Sequence, residues 1–347
     1  MGLLRPDEIF QLLERSNRQY SVVQDGSLQP RLLSAVLDLP ARDPDPVDPF
    51  LEVLRDGDGS PRLVRALPPD GVSDAFEAGA EAFSAGRHDE AVSLYEEVVA
   101  AAPEYFKAHT YLGRARQFAG RPKAAFDALS EATRLNPLDY QAHLFTADVL
   151  EELEDEDGAK RALIRAYALN RTNAVVEDRL RRLLPRLQLR LAEPLLRPRL
   201  AVVSTKEAVE IRVGPKGRWA AMGLCLACWA HEPECSNRSN AASDPLRLSM
   251  YRECLLNQVA ALVAREGELN GEERRLLQAV REGFLESILL WEVLAVRLPA
   301  LVFLLPSDTR ANIEAYIDRH VFASTRLVRG PPVLLDKAGG DFEGLAP

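Results

Sequence analysis

The sequence predicts a mainly α-helical protein, a stack of helical hairpins followed by a second, mostly helical domain with a small β-hairpin. Three observations predict it. From roughly Val72 to Asn173 the chain resembles itself at a shift of 34 residues. After position 218, apolar residues recur at helical spacing. Between these regions, Leu200–Ser204 and Ala208–Val213 are β-branched or alternating and flank a short polar turn, the pattern of a hairpin.

Residues 1–71 precede the repeat. Pro6–Tyr20 and Gln29–Leu39 read as short amphipathic segments, and the Pro/Asp-rich linker ARDPDPVDP follows. Phe50–Leu54 and Arg62–Leu67 are expected to add one more helix pair.

Residues 72–173 carry the strongest pattern. At the 34-residue shift, Gly79 falls on Gly113 and then Ala147, and Gly86 falls on Gly120. Ala91 falls on Ala125 and Ala159, Tyr95 on Leu129 and Leu163, and Pro103 on Pro137. Small residues belong where two helices cross closely. Gly86 and Gly120 suit a turn with left-handed backbone. Pro103 and Pro137 stop the second helix of each pair. A lone hairpin cannot bury its apolar face, so copies must stack.

The copies GAEAFSAGRHDEAVSLYEEVVAAAP and GRARQFAGRPKAAFDALSEATRLNP closely resemble the tetratricopeptide repeat family, and ADVLEELEDEDGAKRALIRAYALNR is a looser third copy. The third has Ala147 for Gly, Glu154 for the turn Gly and Arg171 for Pro. The resemblance covers about 100 of 347 residues. It implies a protein-binding concave groove lined by the first helix of each hairpin. Carried over by the repeat shift, that groove comprises Ser73, Phe76, Ala80, Phe83 and Ser84, then Lys107, Thr110, Arg114, Gln117 and Phe118, then Gln141, Leu144, Asp148, Glu151 and Glu152. It would present an apolar end, a basic middle and an acidic end. Alternatively, Phe76 and Phe118 pack against the N-terminal 71 residues folded back into the groove. Some family members grip a partner's C-terminal carboxylate with Lys, Asn and Arg. Here those places hold Phe76, Ala80, Tyr111, Gln141 and Phe145, so free acidic C-termini of that kind are not expected to bind.

Residues 174–198 form a basic segment, in which Val175–Leu184 reads as a solvating helix that caps the stack. Residues 199–325 read as the second domain, broken by Gly214-Pro-Lys-Gly217. Helices are expected at about Arg218–His231, Pro245–Arg265, Gly271–Leu298 and Asp308–His320, with Asp308 as a cap. The tail at 326–347 is expected to be loosely held.

Bulk properties narrow the classes. Charged residues make up 27% and hydrophobic residues 47%, which fits a globular chain. The net charge of -9 does not attract nucleic acid to the chain as a whole. Six of the 43 basic residues are lysine, a bias typical of GC-rich bacterial genomes. The N-terminus shows no secretory pattern. The most apolar stretch, Ile288–Pro306, contains Glu292, Arg297 and Pro299 and reads as buried helix rather than a membrane span. Four cysteines do not suggest a disulfide framework, so the expected location is cytoplasmic.

Few residues suggest chemistry. Cys225, Cys228, His231 and Cys235 have zinc-ligand identities, but Cys225 and Cys228 sit in the apolar WAAMGLCLACWA, where core packing is the favoured reading. A Cys235–His231 nucleophile pair is less favoured still. The arginines from Arg179 to Arg199 could face a nucleic acid backbone, an acidic protein or an anionic membrane, or simply water. Glu151–Asp157 lacks the spacing of a calcium loop. Phosphate-loop, dinucleotide, HExxH and nucleophile-elbow motifs are absent from the sequence. The expectation is a non-enzymatic scaffold or adaptor without cofactor or metal, holding partner proteins in the groove. The alternatives are an enzymatic or zinc-binding module in 199–325, with the repeats recruiting substrate, and a regulator touching nucleic acid through Arg179–Arg199.

Overall fold

The computed structural model describes residues 3–31, 33, 47–238 and 247–325. The expected segment Gln29–Leu39 and the linker at 41–49 lie largely outside the described residues, and the tail from Arg326 wholly so. The chain is mostly helical, as expected. Helix α1 (Pro6–Glu14) begins with a proline at its first position and buries Ile9 and Leu13. Strand β1 (Gln19–Gln24) follows.

The repeat forms three antiparallel hairpins: α2 (Ser73–Ser84) with α3 (His88–Ala101), α4 (Phe106–Phe118) with α5 (Pro122–Leu135), and α6 (Tyr140–Glu152) with α7 (Glu156–Leu169). Close crossing explains the helix glycines. A Cβ on Gly79 would lie 2.8 Å from Tyr95 Cε1, and one on Gly113 would lie 2.5 Å from Leu129 Cγ. The turns hold Gly86 at φ 77° and Gly120 at φ 74°. The third turn keeps the same left-handed backbone with Glu154 at φ 62°. A second device also repeats at 34 residues. His109 Nε2 lies 2.8 Å from the Pro103 carbonyl, and His143 Nε2 lies 2.9 Å from that of Pro137.

One expectation next to the stack needs correction. Phe50–Leu54 and Arg62–Leu67 do not form helices. They contribute an antiparallel hairpin, β2 (Leu51–Arg55) with β3 (Pro61–Arg65). The turn between them is tight: Gly59 sits at φ 84°, its N–H donates to the Asp56 carbonyl at 2.8 Å, and Asp56 N–H donates to the Ser60 carbonyl at 3.0 Å. Val175–Leu184 lies in α8 (Ala174–Arg186), which buries Val176, Leu180, Leu183 and Leu184 and leaves Asp178, Arg181, Arg182 and Arg186 exposed. Asn173 caps this helix, its Oδ1 accepting from Val175 N at 2.9 Å and Val176 N at 3.2 Å.

Beyond α8 come β4 (Leu189–Leu191), β5 (Leu200–Ser204) and β6 (Ala208–Val213). The expected hairpin β5–β6 is present, and β1 joins it as a parallel partner of β6, in the order β1-β6-β5. Helices α9 (Ala220–His231), α10 (Leu248–Val263) and α11 (Gly271–Arg281) follow. The N-terminal segment is therefore part of this second unit. Leu4 N–H donates to Glu253 at 3.1 Å, and Asn257 Nδ2 donates to the Leu4 carbonyl at 3.0 Å. Glu253 is buried, also accepts from Trp229 Nε1 at 3.1 Å, and pairs with Arg238 at 3.2 Å.

The expected long helix Gly271–Leu298 breaks after α11 at Gly283, φ 88°. The chain resumes at Leu285–Ser287 and continues as a π-helix, Ile288–Leu294. Its buried Glu292 accepts from Leu195 N at 3.1 Å, Leu196 N at 3.0 Å and Tyr316 OH at 2.6 Å, joining three segments. Helix α12 (Ser307–Tyr316) has Pro306 at its cap position, so Asp308 lies in the first turn and is not the cap. A last strand, β7 (Phe322–Ser324), pairs with β4.

The cysteines are buried, as favoured, but they are not free thiols. Cys225–Cys254 joins α9 to α10, and Cys228–Cys235 closes a loop at the end of α9, with Cα–Cα distances of 5.2 Å and 5.8 Å. The expectation of no disulfide framework is corrected. Cys254 lies 29 residues from its partner and outside the Cys225–Cys235 cluster.

Candidate partner-binding groove

The concave side of the stack is divided in two by the protein's own chain. Phe50, just before β2, enters the groove at the start of the first helices. Its ring centroid lies 6.4 Å from that of Phe76 and 6.2 Å from that of Tyr111. Asn136 Nδ2 donates to the Leu51 carbonyl at 3.2 Å and fixes the hairpin there.

Beneath Phe50 lies a buried ion pair. Lys107 and Asp139 side chains are both 0% exposed, with Nζ 2.9 Å from Oδ1. The ammonium lies 5.3 Å from the Phe50 ring centroid and 5.4 Å from that of Phe106. Burial pushes the Lys107 pKa below the ordinary lysine value, against the opposing pull of Asp139. Five expected groove residues, Phe76, Lys107, Thr110, Gln117 and Leu144, are buried, although Gln117 still lines the cleft beyond. The fold-back reading holds for Phe76. It fails for Phe118, which remains 50% exposed.

The other half of the groove is open. Arg114, Gln117, Phe118, Asp148 and Glu151 line a cleft of about 710 Å³ together with Glu152 and three arginines of α8, Arg179, Arg182 and Arg186. Phe83 borders it through Phe118, ring centroids 5.2 Å apart. The expected separation into basic middle and acidic end does not survive folding, because repeat-equivalent positions neutralise one another. Arg114 pairs with Asp148 at 2.8 Å, one repeat on, and Arg179 meets the same carboxylate at 2.5 Å. Gln117 Nε2 donates to Glu152, and Arg186 pairs with Glu151 at 3.1 Å and Glu156 at 2.6 Å. The Arg114 guanidinium also lies 4.6 Å from the Phe118 ring centroid and 4.5 Å from that of Phe145. Burial raises the Glu151 pKa, and the Asp148 hydrogen bond raises that of Arg179.

The sequence alone places the α8 arginines in a basic segment outside the groove. One further step of the repeat shift carries Arg114 and Asp148 onto Arg182, and Phe118 and Glu152 onto Arg186. Helix α8 thus occupies the place of the first helix of a fourth unit. Its remaining arginines are also engaged: Arg181 with Glu177 at 2.7 Å and Arg182 with Asp178 at 3.0 Å.

The zinc-type residues do not converge. Cys228 and Cys235 are bonded to each other and Cys225 to Cys254, which leaves His231 without a thiolate beside it among the described residues. Burial lowers the His231 pKa, and nearby Arg18 lowers it further.

This arrangement of paired helices, turn glycines and a concave side-chain ladder defines a repeat scaffold, and comparison with known proteins says which. The tetratricopeptide repeat family model matches residues 76–116 and 112–174, so this is a tetratricopeptide repeat protein over that stretch. Similar solved structures include the first such domain of Spaghetti (RPAP3) bound to the HSP90 peptide SRMEEVD, at 21% identity and a TM-score of 0.34, covering 35% of this chain and 97% of that one. The Arabidopsis OM64 repeat domain matches at 17% identity and a TM-score of 0.33, over 34% of this chain and 97% of its own. The Yersinia enterocolitica type III secretion chaperone SycD, in complex with a peptide of the translocator YopD, matches at 14% identity and a TM-score of 0.32, over 34% and 96%. No curated protein matches the chain.

Proposed function

We propose that this protein is a non-enzymatic adaptor that holds a segment of a partner protein in the open half of the groove. One observation supports this above all others. A cleft of about 710 Å³ is lined by side chains at repeat-equivalent positions, and its rim aromatic, Phe118, is half exposed among the described residues. Aromatic and arginine side chains in such a setting are the usual anchors of protein recognition. The covered half takes no part. A pull-down comparing native protein with Phe118→Ala and Arg182→Glu tests the reading. A true partner is lost or strongly depleted with both variants while their melting temperatures stay near native. A partner recovered equally with all three proteins places binding elsewhere.

The two alternatives receive less support. The Arg179–Arg199 arginines are largely tied into ion pairs with carboxylates, which lowers their availability for phosphates. The zinc-module reading would need the two disulfides reduced and the ligands regrouped. Among the described residues, no helix is long and apolar enough to cross a membrane. The expected cytoplasmic location sits uneasily with two disulfides, since reducing compartments keep thiols free. Alkylation trapping in the source cells, followed by mass spectrometry of the four cysteines, decides the compartment's redox character.

A further inference from the structure

A second cavity, remote from the repeat groove, lies in the other unit. It encloses about 260 Å³ between the segment leading into β5, the Gly214–Pro215 turn and the start of α11. Its apolar lining comprises Leu195, Leu262, Leu276 and Trp219. Arg197 and Arg199 belong to the strand-entry segment and Glu272 and Glu273 to the first turn of α11; Arg218, also in the lining, pairs with Glu273, and Arg197 pairs with Glu193.

Two of these charges are unused. Arg199 and Glu272 are both exposed, and neither has an ion-pair or hydrogen-bond partner for its side chain among the described residues. They line one cavity with opposite charges and do not meet. Glu273, by contrast, is already engaged: its side chain is 7% exposed, Oε2 is held by Arg218 and by Asn270 N, and Oε1 faces Arg265 Nη2 at 3.9 Å.

From this arrangement we infer that the cavity binds a small zwitterion, a free amino acid or short peptide. Its carboxylate meets Arg199, its ammonium meets Glu272, and its apolar side chain rests on Leu262, Leu276 and Trp219. Guanidinium and carboxylate walls are suited to these two groups because both bonds are charge-assisted. The cavity is small and partly lined by apolar side chains, which favours an aliphatic side chain over a charged one.

The test is thermal shift on the full chain with free amino acids, dipeptides, and two blocked forms of each hit: the N-acetyl derivative and the C-terminal amide. An aliphatic zwitterion should raise the melting temperature in a concentration-dependent manner. Binding by free amino acids alone, or by dipeptides as well, identifies the source. Arg199→Gln should weaken the zwitterion about tenfold or more and leave the amide's affinity unchanged. Glu272→Gln should do the same for the zwitterion while sparing the N-acetyl form. Both residues are exposed and unpartnered, so the unliganded melting temperature should not move. No shift with any zwitterion at millimolar concentration overturns the inference. So does a shift that both variants retain in full.

Discussion

Asp139 is the position where the fold is most exposed to a single change. Its carboxylate accepts from Lys107 Nζ at 2.9 Å, from Thr110 Oγ1 at 2.6 Å and from Gln141 N at 3.1 Å, the last being the cap of α6. Asp139→Ala removes all three bonds and leaves an ammonium with no solvent exposure, bonded to Gln141 Oε1 at 3.1 Å and with Asp48 as its remaining nearby carboxylate. Breaking a buried pair from one side costs about 3–5 kcal/mol. The lost cap adds about 1 kcal/mol. The expected loss is therefore about 4–6 kcal/mol. Lys107→Met leaves Asp139 its two other donors and should cost about 2–3 kcal/mol. The double variant strands no charge and should fall within about 2 kcal/mol of native, because apolar replacement of a buried pair is often near neutral.

Urea denaturation followed by far-ultraviolet circular dichroism measures all four corners of this cycle. The coupling should exceed about 3 kcal/mol. A pH series adds an independent check. Burial lowers the Lys107 pKa from the ordinary 10.5. Without Asp139 the folded state binds fewer protons than the unfolded chain between the lowered value and 10.5. Stability of Asp139→Ala should therefore rise with pH across that window, more steeply than in the native protein. An Asp139→Ala loss below about 1 kcal/mol, or strictly additive single effects, would refute the buried pair.

Three further outcomes are expected. Gly113→Ala places a Cβ 2.5 Å from Leu129 Cγ and 3.1 Å from the Ala125 carbonyl, so it should cost about 1–3 kcal/mol, read as a lowered urea midpoint. Removing the Cys225–Cys254 bond, which spans 29 residues, should cost about 3.5 kcal/mol by loop entropy, and removing Cys228–Cys235, which spans 7, about 2.5 kcal/mol; melting of Cys254→Ser and Cys235→Ser measures both. Burial lowers the His143 pKa below 6.5, so its contribution is present above 6.5 and is lost as pH falls through the folded value. His143→Gln should flatten that part of the stability–pH curve.

The repeat was legible because packing constraints act on residue type at fixed spacing. Gly79 and Gly113 face Tyr95 and Leu129 at contact distance, and no other residue fits without a shift. Glu154 shows where type and geometry part: the left-handed turn persists without its glycine, so the sequence made the third turn look less certain than it is. The β2–β3 hairpin was legible in principle, since Asp-Gly-Asp-Gly between apolar runs is a turn signal, but proximity to the repeat favoured helices. The disulfide to Cys254 and the recruitment of β1 by β6 are long-range events that leave no local mark. The open groove was half legible. Residues on α4 and α6 followed from the family's spacing, whereas the covering of Phe76, Lys107 and Thr110 depends on a segment that spacing cannot place.

The stack has no free end, and this restricts where it can act. Three hairpins bury a continuous face only if both terminal faces are satisfied, which solvating helices do in many repeat proteins. Here Phe50 and the β2–β3 hairpin cover the start of the concave side. The other end is closed by α8 and by contacts with the second unit, including Lys160–Asp318 at 2.5 Å and Arg171, which donates to the Trp291 carbonyl at 2.6 Å. Helix α8 is shared: its apolar side packs inward, and Arg179, Arg182 and Arg186 line the groove. A groove ligand would therefore touch the repeats and the helix that joins them to the rest of the chain. That leaves the cleft between α4, α6 and α8 as the part of the concave surface with both exposed anchors and a rigid frame. It also explains why the arginines of α8, which look like a basic tail in the sequence, are held in place by Asp148 and Glu151 from the preceding repeat.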